Sequence, residues 1–167
     1  MKTSSINFVS KDKAQKLDKL KEFEKRLPGV LPKEYVKYIL KYGTGKGLKE
    51  HLCFDVMEYG DLESDIVSDE RIFNALSSVA ELNIHFEALS ISAYQPKCLP
   101  KDMIMVGSDL SDNPVLLCIE GAYYGKVFFW NPVLCLDIDD EEDSYENIGL
   151  VANSFQEFIQ CLHSCSE

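Results

Sequence analysis

The hydrophobic positions near both ends of the chain repeat at the spacing of an amphipathic helix. Two N-terminal helices are predicted over residues 12–27 and 32–42, with apolar faces formed by Leu17, Leu20, Phe23 and Leu27 and by Tyr35, Tyr38, Ile39 and Tyr42. Near the other end, Ser154 and Glu157 form a capping-box pattern, which favours a helix that begins just after Ser154. Its apolar stripe is Phe155, Phe158, Ile159 and Leu162.

The middle of the chain carries short apolar runs that are typical of strands. Strands are predicted over residues 52–57, 103–106, 115–119 and 127–130, and turn-rich segments separate the last three. A further helix is predicted to begin at Ser68 and to bury Ile72, Phe73, Leu76, Val79 and Ala80. Residues 83–98 show no clear period, and we expect a mixture of strand and loop there.

Helices at both ends of a strand-rich middle predict an α+β fold. We expect a largely antiparallel sheet with the helices packed on one face. A chain of 167 residues has the size of one domain, so residues 1–167 are predicted to fold as a single unit, with residues 1–11 as a flexible N-terminal segment.

The composition narrows the class of protein. Hydrophobic residues make up 46% of the chain and charged residues 27%, as in a globular protein. The longest unbroken apolar run, residues 115–119, is far below the ~20 residues of a membrane-spanning helix, and the polar start lacks the apolar part of a signal peptide. We therefore expect a soluble, cytoplasmic protein with no membrane partner. Most of its six cysteines are expected to be reduced thiols, buried as small hydrophobes.

The net charge of −11 hides an asymmetry along the chain. Residues 1–50 hold 13 Lys and Arg against 6 Asp and Glu, a net charge of +7, whereas residues 51–167 hold 4 against 22, a net charge of −18. Direct binding of nucleic acid is disfavoured, because it requires cationic side chains that displace counterions from phosphates. A basic protein partner is the better expectation, although excess acid can also serve solubility alone.

The densest negative charge lies in a predicted solvated loop, residues 137–147. Its acids are Asp137, Asp139, Asp140, Glu141, Glu142, Asp143 and Glu146, seven acids in ten positions. Two interpretations stay open: a loop that only solubilises the protein, or an electrostatic contact for a basic partner.

Aromatic residues supply a second candidate contact. Tyr123 and Tyr124 fall in the predicted hairpin turn between the last two strands, where exposed aromatic side chains often anchor an interface. We expect at least one of the two rings to pack inward. Trp130 ends a strand, and a position in the core is the better expectation for it. The candidate partner-binding residues are therefore the two tyrosines together with Asp137, Asp139, Asp140, Glu141, Glu142 and Asp143.

No pattern in the sequence supports catalysis, a cofactor or a metal. There is no Gly-rich phosphate loop and no Gly-x-Ser-x-Gly turn. Cys161, His163 and Cys165 lie close together, but a structural zinc site needs a fourth ligand that no second cysteine or histidine pair supplies. A formal calcium-loop match that starts at Asp109 fails at Pro114, which stands where the loop needs Gly. We predict no catalytic residues, no cofactor and no metal.

Four motifs in order resemble the SUKH superfamily and cover most of the chain. They are LPKEYVKYILKYGTGKG at residues 31–47, LPKDMIMVGSD at 99–109, NPVLLCIEGAYYGKVFFWNP at 113–132 and VANSFQEFIQCL at 151–162. Two positions depart from the pattern: Gly43-Thr44-Gly45 replaces the commoner Asn-Gly-Gly, and Asn113-Pro114 replaces Gly-Asn. The departures loosen the assignment to a subfamily but not the fold.

The resemblance implies a non-enzymatic α+β binding module. In bacteria such modules are mostly immunity proteins that neutralise a toxin domain, so the resemblance implies stoichiometric occlusion of a cognate toxin by a monomer or a 1:1 complex. A toxin that is a nuclease or a nucleic-acid deaminase would present a basic groove to the acidic surface. The alternative is a regulatory or scaffold module with an endogenous protein partner, because eukaryotic members of the superfamily include a regulator of yeast cell-wall synthesis.

Overall fold

The computed structural model describes residues 17–42, 52–59, 69–91, 100–131 and 148–165. The helices in these ranges are α1 (Leu17–Glu24), α2 (Lys33–Tyr42), α3 (Val79–Ile91) and α4 (Phe155–Cys161). The strands are β1 (Leu52–Val56), β2 (Glu58–Tyr59), β3 (Asp69–Leu76), β4 (Met103–Asp109), β5 (Pro114–Cys118), β6 (Val127–Trp130), β7 (Ile148–Ala152) and β8 (His163–Ser164). The helices predicted over residues 12–27, over 32–42 and after Ser154 are confirmed as α1, α2 and α4, although residues 12–16 lie outside the described ranges. The four predicted strands are confirmed as β1, β4, β5 and β6. Residues 1–11 and 137–147 lie outside the described ranges.

The described strands form one sheet with the order β2-β7-β6-β5-β4-β3-β1-β8. Every pairing in it is antiparallel. The extended segment 52–59 supplies the strand at one end of this order, β2, which pairs with β7, and the next-to-last strand at the other end, β1, which pairs with β3 and β8. Between the two strands, the Met57 N–H donates to the Leu150 carbonyl at 2.8 Å. The sheet therefore curls back on itself.

The two faces of the sheet hold two separate apolar clusters. In β6, Val127 and Phe129 join the main core, whereas Phe128 and Trp130 join a smaller cluster on the opposite face. This alternation follows from the period of two along a strand. The buried helix residues that belong to the main core are Leu20, Phe23, Tyr35, Ile39, Val79, Leu82, Phe155 and Phe158. The predicted α+β fold, with helices on one face of an antiparallel sheet, is confirmed.

The predicted helix at Ser68 is wrong, because residues 69–76 form strand β3. Phe73 and Leu76 are both buried in the main core although they are three residues apart, which imitates helical spacing. The cause is a register shift between Phe73 and Ala75, where β3 pairs with β4. A bulge of this kind inserts one residue and resets the alternation of the strand.

The helix in this region begins eleven residues later, at Val79, so the expectation of strand or loop over residues 83–98 is wrong for the part that α3 occupies. Ser78 caps α3, since its Oγ accepts from the Glu81 N–H at 3.1 Å and a Glu81 carboxylate oxygen accepts from the Ser78 N–H at 2.7 Å. The inward positions Val79, Leu82 and Phe86 do have helical spacing. The exposed Ile84 obscured that pattern by placing an apolar residue on the outer side.

The cysteines differ partly from expectation. Cys118 is a buried free thiol, as predicted, but Cys161 is free and exposed. Cys53 and Cys165 form a disulfide across 112 residues, which sequence spacing did not indicate. The antiparallel pairing of β8 with β1 is what brings these two residues together.

Candidate protein-binding surface

Tyr123 and Tyr124 lie on the connection between β5 and β6, where residues Gly121–Tyr123 form a turn of 3₁₀ helix. Their side chains are 44% and 48% exposed, so the expectation that at least one of them packs inward is wrong. The Tyr123 ring meets the Phe128 ring edge-on, with 5.8 Å between the ring centroids, and the Lys126 Nζ lies 5.6 Å from the centroid of Tyr123. The ring of Tyr123 is therefore held in place while nearly half of its surface stays open.

Hydrogen bonds hold the backbone of residues 121–126, which we call the tyrosine turn. The Gly125 N–H donates to the Cys118 carbonyl at 2.9 Å, and the Lys126 N–H donates to the Tyr123 carbonyl at 3.0 Å. Gly121 and Gly125 adopt φ values of 76° and 83°, in the left-handed region that glycine enters without strain. A turn fixed in this way presents its aromatic rings with little entropy to lose on binding.

The six candidate acids of the segment 137–147 lie outside the described residues, as do Cys98 and Cys135. Trp130 is 6% exposed, so its predicted place in the core is confirmed.

The described free thiols are poorly suited to nucleophilic chemistry. Burial is the main cause that raises the pKa of Cys118 to about 11, and its Sγ donates to the Glu120 carbonyl at 3.0 Å. Burial, followed by the charges of Glu157 and Asp55, also raises the pKa of Cys161. Because the thiolate is the reactive form, both shifts favour unreactive thiols at neutral pH.

One serine and one histidine approach each other, yet they do not form an accessible dyad. Ser77 Oγ lies 3.3 Å from His85 Nδ1, but Ser77 is only 4% exposed. A substrate could not reach this hydroxyl, so the contact is structural.

His163 lies on β8 beside two carboxylates, an arrangement that the sequence analysis missed. Its Nδ1 donates to the Ser164 carbonyl at 2.9 Å, and its Nε2 lies 3.2 Å from the Asp55 carboxylate. The hydrogen bond to the Ser164 carbonyl is the main cause that raises the pKa of His163. Burial opposes this rise, and Asp55 and Glu70 add to it. One donor atom each from Asp55, Glu70 and His163 lies within 4.8 Å of the other two, so these residues could hold a metal ion. The cross-strand pairing of Asp55 with Glu70 brings them together, and neither residue belongs to the Cys161, His163 and Cys165 set.

Comparison with known proteins identifies the family. The model of the SMI1 / KNR4 family (SUKH-1) matches residues 16–161. The chain belongs to this family. It is also similar to the SPbeta prophage-derived uncharacterized protein YokK of Bacillus subtilis (strain 168), with 26% identity over 152 residues that cover 85% of this chain and 71% of the relative. SUKH proteins are generally immunity or regulatory proteins.

The SUKH motifs of this chain build the fold. In the Gly107-Ser108-Asp109 motif, Asp109 is 3% exposed and its carboxylate accepts from the N–H groups of Ser111 and Asn113 at 2.9 and 2.8 Å. The formal calcium-loop match is thus a hairpin turn whose first acid is already occupied, and Pro114 begins β5. In the Leu-Pro motif, Leu31 is buried and its N–H donates to Glu24 Oε1 at 2.9 Å.

The buried residues of the family motifs thus hold the architecture together. The exposed residues are the ones that can distinguish one partner from another. Among the described residues, no helix is both long and apolar enough to cross a bilayer. The tyrosine turn is the predicted contact whose geometry the structure describes.

Proposed function

We propose that this protein is an immunity protein that binds a cognate toxin domain and occludes it stoichiometrically, without chemical conversion. The observation that carries the proposal is SUKH membership over residues 16–161, combined with a net charge of −18 over residues 51–167. The proposed partner is a basic protein in the cytoplasm, with a nuclease or nucleic-acid deaminase as the chemistry that best matches an acidic competitor.

The proposed mechanism is competition for a nucleic-acid groove. Such grooves are lined by cationic side chains that track a phosphate backbone. The carboxylates Asp137, Asp139, Asp140, Glu141, Glu142 and Asp143 would occupy the same cations, and their field would accelerate the encounter. Tyr123 and Tyr124 would supply apolar contact area, because aromatic anchors dominate the energetics of many interfaces.

The first test is to identify the partner. Tagged protein is recovered from its native cells, bound proteins are eluted with stepped salt, and the eluate is identified by mass spectrometry. We expect one basic toxin-like protein at one-to-one stoichiometry, released by salt. Recovery of housekeeping or signalling proteins alone would contradict the immunity proposal and favour a regulatory module.

The second test concerns the acidic segment. Asp139→Asn with Asp140→Asn should slow association with the recovered partner and flatten its dependence on salt, measured by stopped-flow kinetics. Asp18→Asn with Glu22→Gln removes the same charge from the exposed surface of α1 and serves as the control. Equal effects of the two variants would remove the segment from the proposed interface.

The third test concerns the tyrosine turn. Tyr123→Ala with Tyr124→Ala should weaken the complex by about 2 kcal/mol or more, mainly through faster dissociation. Leu110→Ala, which truncates another exposed apolar residue at 56% exposure, is the matched control. Isothermal titration calorimetry gives the affinities, and an unchanged affinity of the tyrosine variant would exclude the turn from the contact.

A further inference from the structure

An apolar groove of about 710 Å³ lies between helices α1 and α2 and is open to solvent. Its apolar lining consists of Leu17, Leu20, Val30, Leu31, Val36 and Leu40. Two of these side chains face solvent to an unusual degree, since Leu17 is 42% exposed and Val30 is 61% exposed. A partner that binds in the groove would therefore remove exposed apolar surface from water.

Lysines form the rim of this groove. Lys33, Lys37 and Lys41 are spaced four residues apart along α2, so they follow one side of that helix over about 12 Å, and Lys21 extends the rim on α1. Glu24 also lines the groove, but its Oε1 accepts from the Leu31 N–H at 2.9 Å and thereby ties the helix connection. The rim is thus cationic in a protein whose overall charge is −11.

The distribution of the lysines along the groove indicates which kind of ligand fits it. A fatty acid carries one carboxylate at one end, whereas the cations here are spread along the groove. A nucleic acid would leave the apolar lining uncovered. The N-terminal segment 1–16 carries 4 lysines and one aspartate, so its charge has the same sign as the rim. A helix with an apolar face and acids spaced four residues apart complements both the lining and the rim.

We propose that the groove between α1 and α2 is a second docking site, which binds an acidic amphipathic helix of a protein partner. The apolar face of that helix lies against Val36 and Leu40, and its carboxylates pair with the lysines of α2. This site is opposite in charge to the acidic segment and does not depend on the proposed toxin partner. The protein then has two binding surfaces, one for a positively charged partner and one for a negatively charged partner.

The test uses a phage library of random 16-residue peptides, selected against the full chain. Three variants are compared: Lys33→Glu with Lys37→Glu on the rim, Val30→Asp in the lining, and Lys19→Glu with Lys25→Glu as a control. The control makes the same charge change at exposed lysines that do not line the groove. We expect enriched peptides with apolar residues at helical spacing and acids four apart, which bind each groove variant at least about tenfold more weakly and the control equally well.

Several results would overturn the proposal. Enrichment of basic peptides, absence of enrichment, or equal loss of binding in the control would each contradict an acidic helix. Groove-dependent binding of oleate or of anionic phosphatidylserine vesicles, without peptide enrichment, would assign the site to lipid. Groove-dependent binding of a synthetic peptide of residues 132–147, or concentration-dependent dimerisation that Val30→Asp abolishes, would assign it to this chain itself. Circular dichroism of each variant verifies that the fold is retained.

Discussion

Gly29 lies where the connection between α1 and α2 closely approaches the sheet. A Cβ atom at this position would lie 2.2 Å from the Ile119 carbonyl oxygen, and the next residue, Val30, donates its N–H to the same oxygen at 3.0 Å. The connection between α1 and α2 therefore passes too close to the end of β5 for any side chain.

Gly29→Ala should lower the free energy of unfolding by about 2 kcal/mol or more, because either the connection or β5 must move. Gly125→Ala is the comparison, since Gly125 has open space around it but a φ of 83°. That variant should lose only about 1 kcal/mol, the cost of left-handed backbone for alanine. Urea denaturation measures both values, and the reverse order would contradict the close packing at Gly29.

His163 should make stability depend on pH. Its pKa is raised in the folded protein, so protonation stabilises the fold fully below the ordinary value of 6.5, and this contribution is lost as the pH rises through the folded pKa. Compared with His163→Gln, the native protein should therefore gain most stability at acidic pH and progressively less above 6.5. Urea denaturation between about pH 5.5 and about pH 8.5 tests this, and a constant difference between the two proteins would contradict it.

At the scale of single elements, α3 depends on its capping box. Ser78→Ala removes the acceptor for the Glu81 N–H and should cost about 1 kcal/mol of stability. Ser68→Ala, which changes the cap that sequence patterns favoured, should cost much less, because residues 69–76 form a strand. Thermal unfolding followed by circular dichroism compares the two variants. A larger loss for Ser68→Ala would restore the original helix assignment.

The elements that could be predicted from sequence are those whose local pattern has one interpretation. The capping box at Ser154 and the apolar run of β5 leave little choice, and both predictions are confirmed. The pattern of β3 fits helix and strand alike, since its bulge gives Phe73 and Leu76 helical spacing, and only pairing with β1 and β4 decides between them. The cluster of Asp55, Glu70 and His163 spans three strands, so it depends on register that no local pattern encodes.

The proposed binding surfaces, too, could be predicted from sequence only in part. The tyrosine turn could be placed from sequence because two strands flank it, but the exposure of both rings was not predicted. Its ties to Cys118 and Phe128 could not be predicted, since they depend on the register of β5 and β6. The groove between α1 and α2 was also missed, because helical periodicity identifies the buried face of each helix but not the gap that two helices leave between them.

At the scale of the whole molecule, the disulfide between Cys53 and Cys165 ties β8 to β1 across 112 residues. Its reduction should lower the free energy of unfolding by about 2 to 4 kcal/mol, since the crosslink restricts the unfolded chain. Urea denaturation with and without dithiothreitol measures the loss, and Cys161→Ser should respond to the reductant as the native protein does. Because the cytoplasm keeps most thiols reduced, the protein is expected to act there without this crosslink and with the lower of the two stabilities. Alkylation of both cysteines in protein purified without reductant would contradict the crosslink.

The whole chain combines a family fold built from buried motif residues with a strongly divided charge. Residues 1–50 carry the lysines of the groove, and residues 51–167 carry the excess acid. The central claim is that this molecule acts by stoichiometric binding. A titration of the recovered partner's toxic activity with increasing amounts of this protein tests it most directly. We predict a linear loss of activity that ends at one molecule of protein per molecule of toxin. Inactivation by substoichiometric amounts would instead indicate an enzyme, and undiminished activity at excess would contradict immunity.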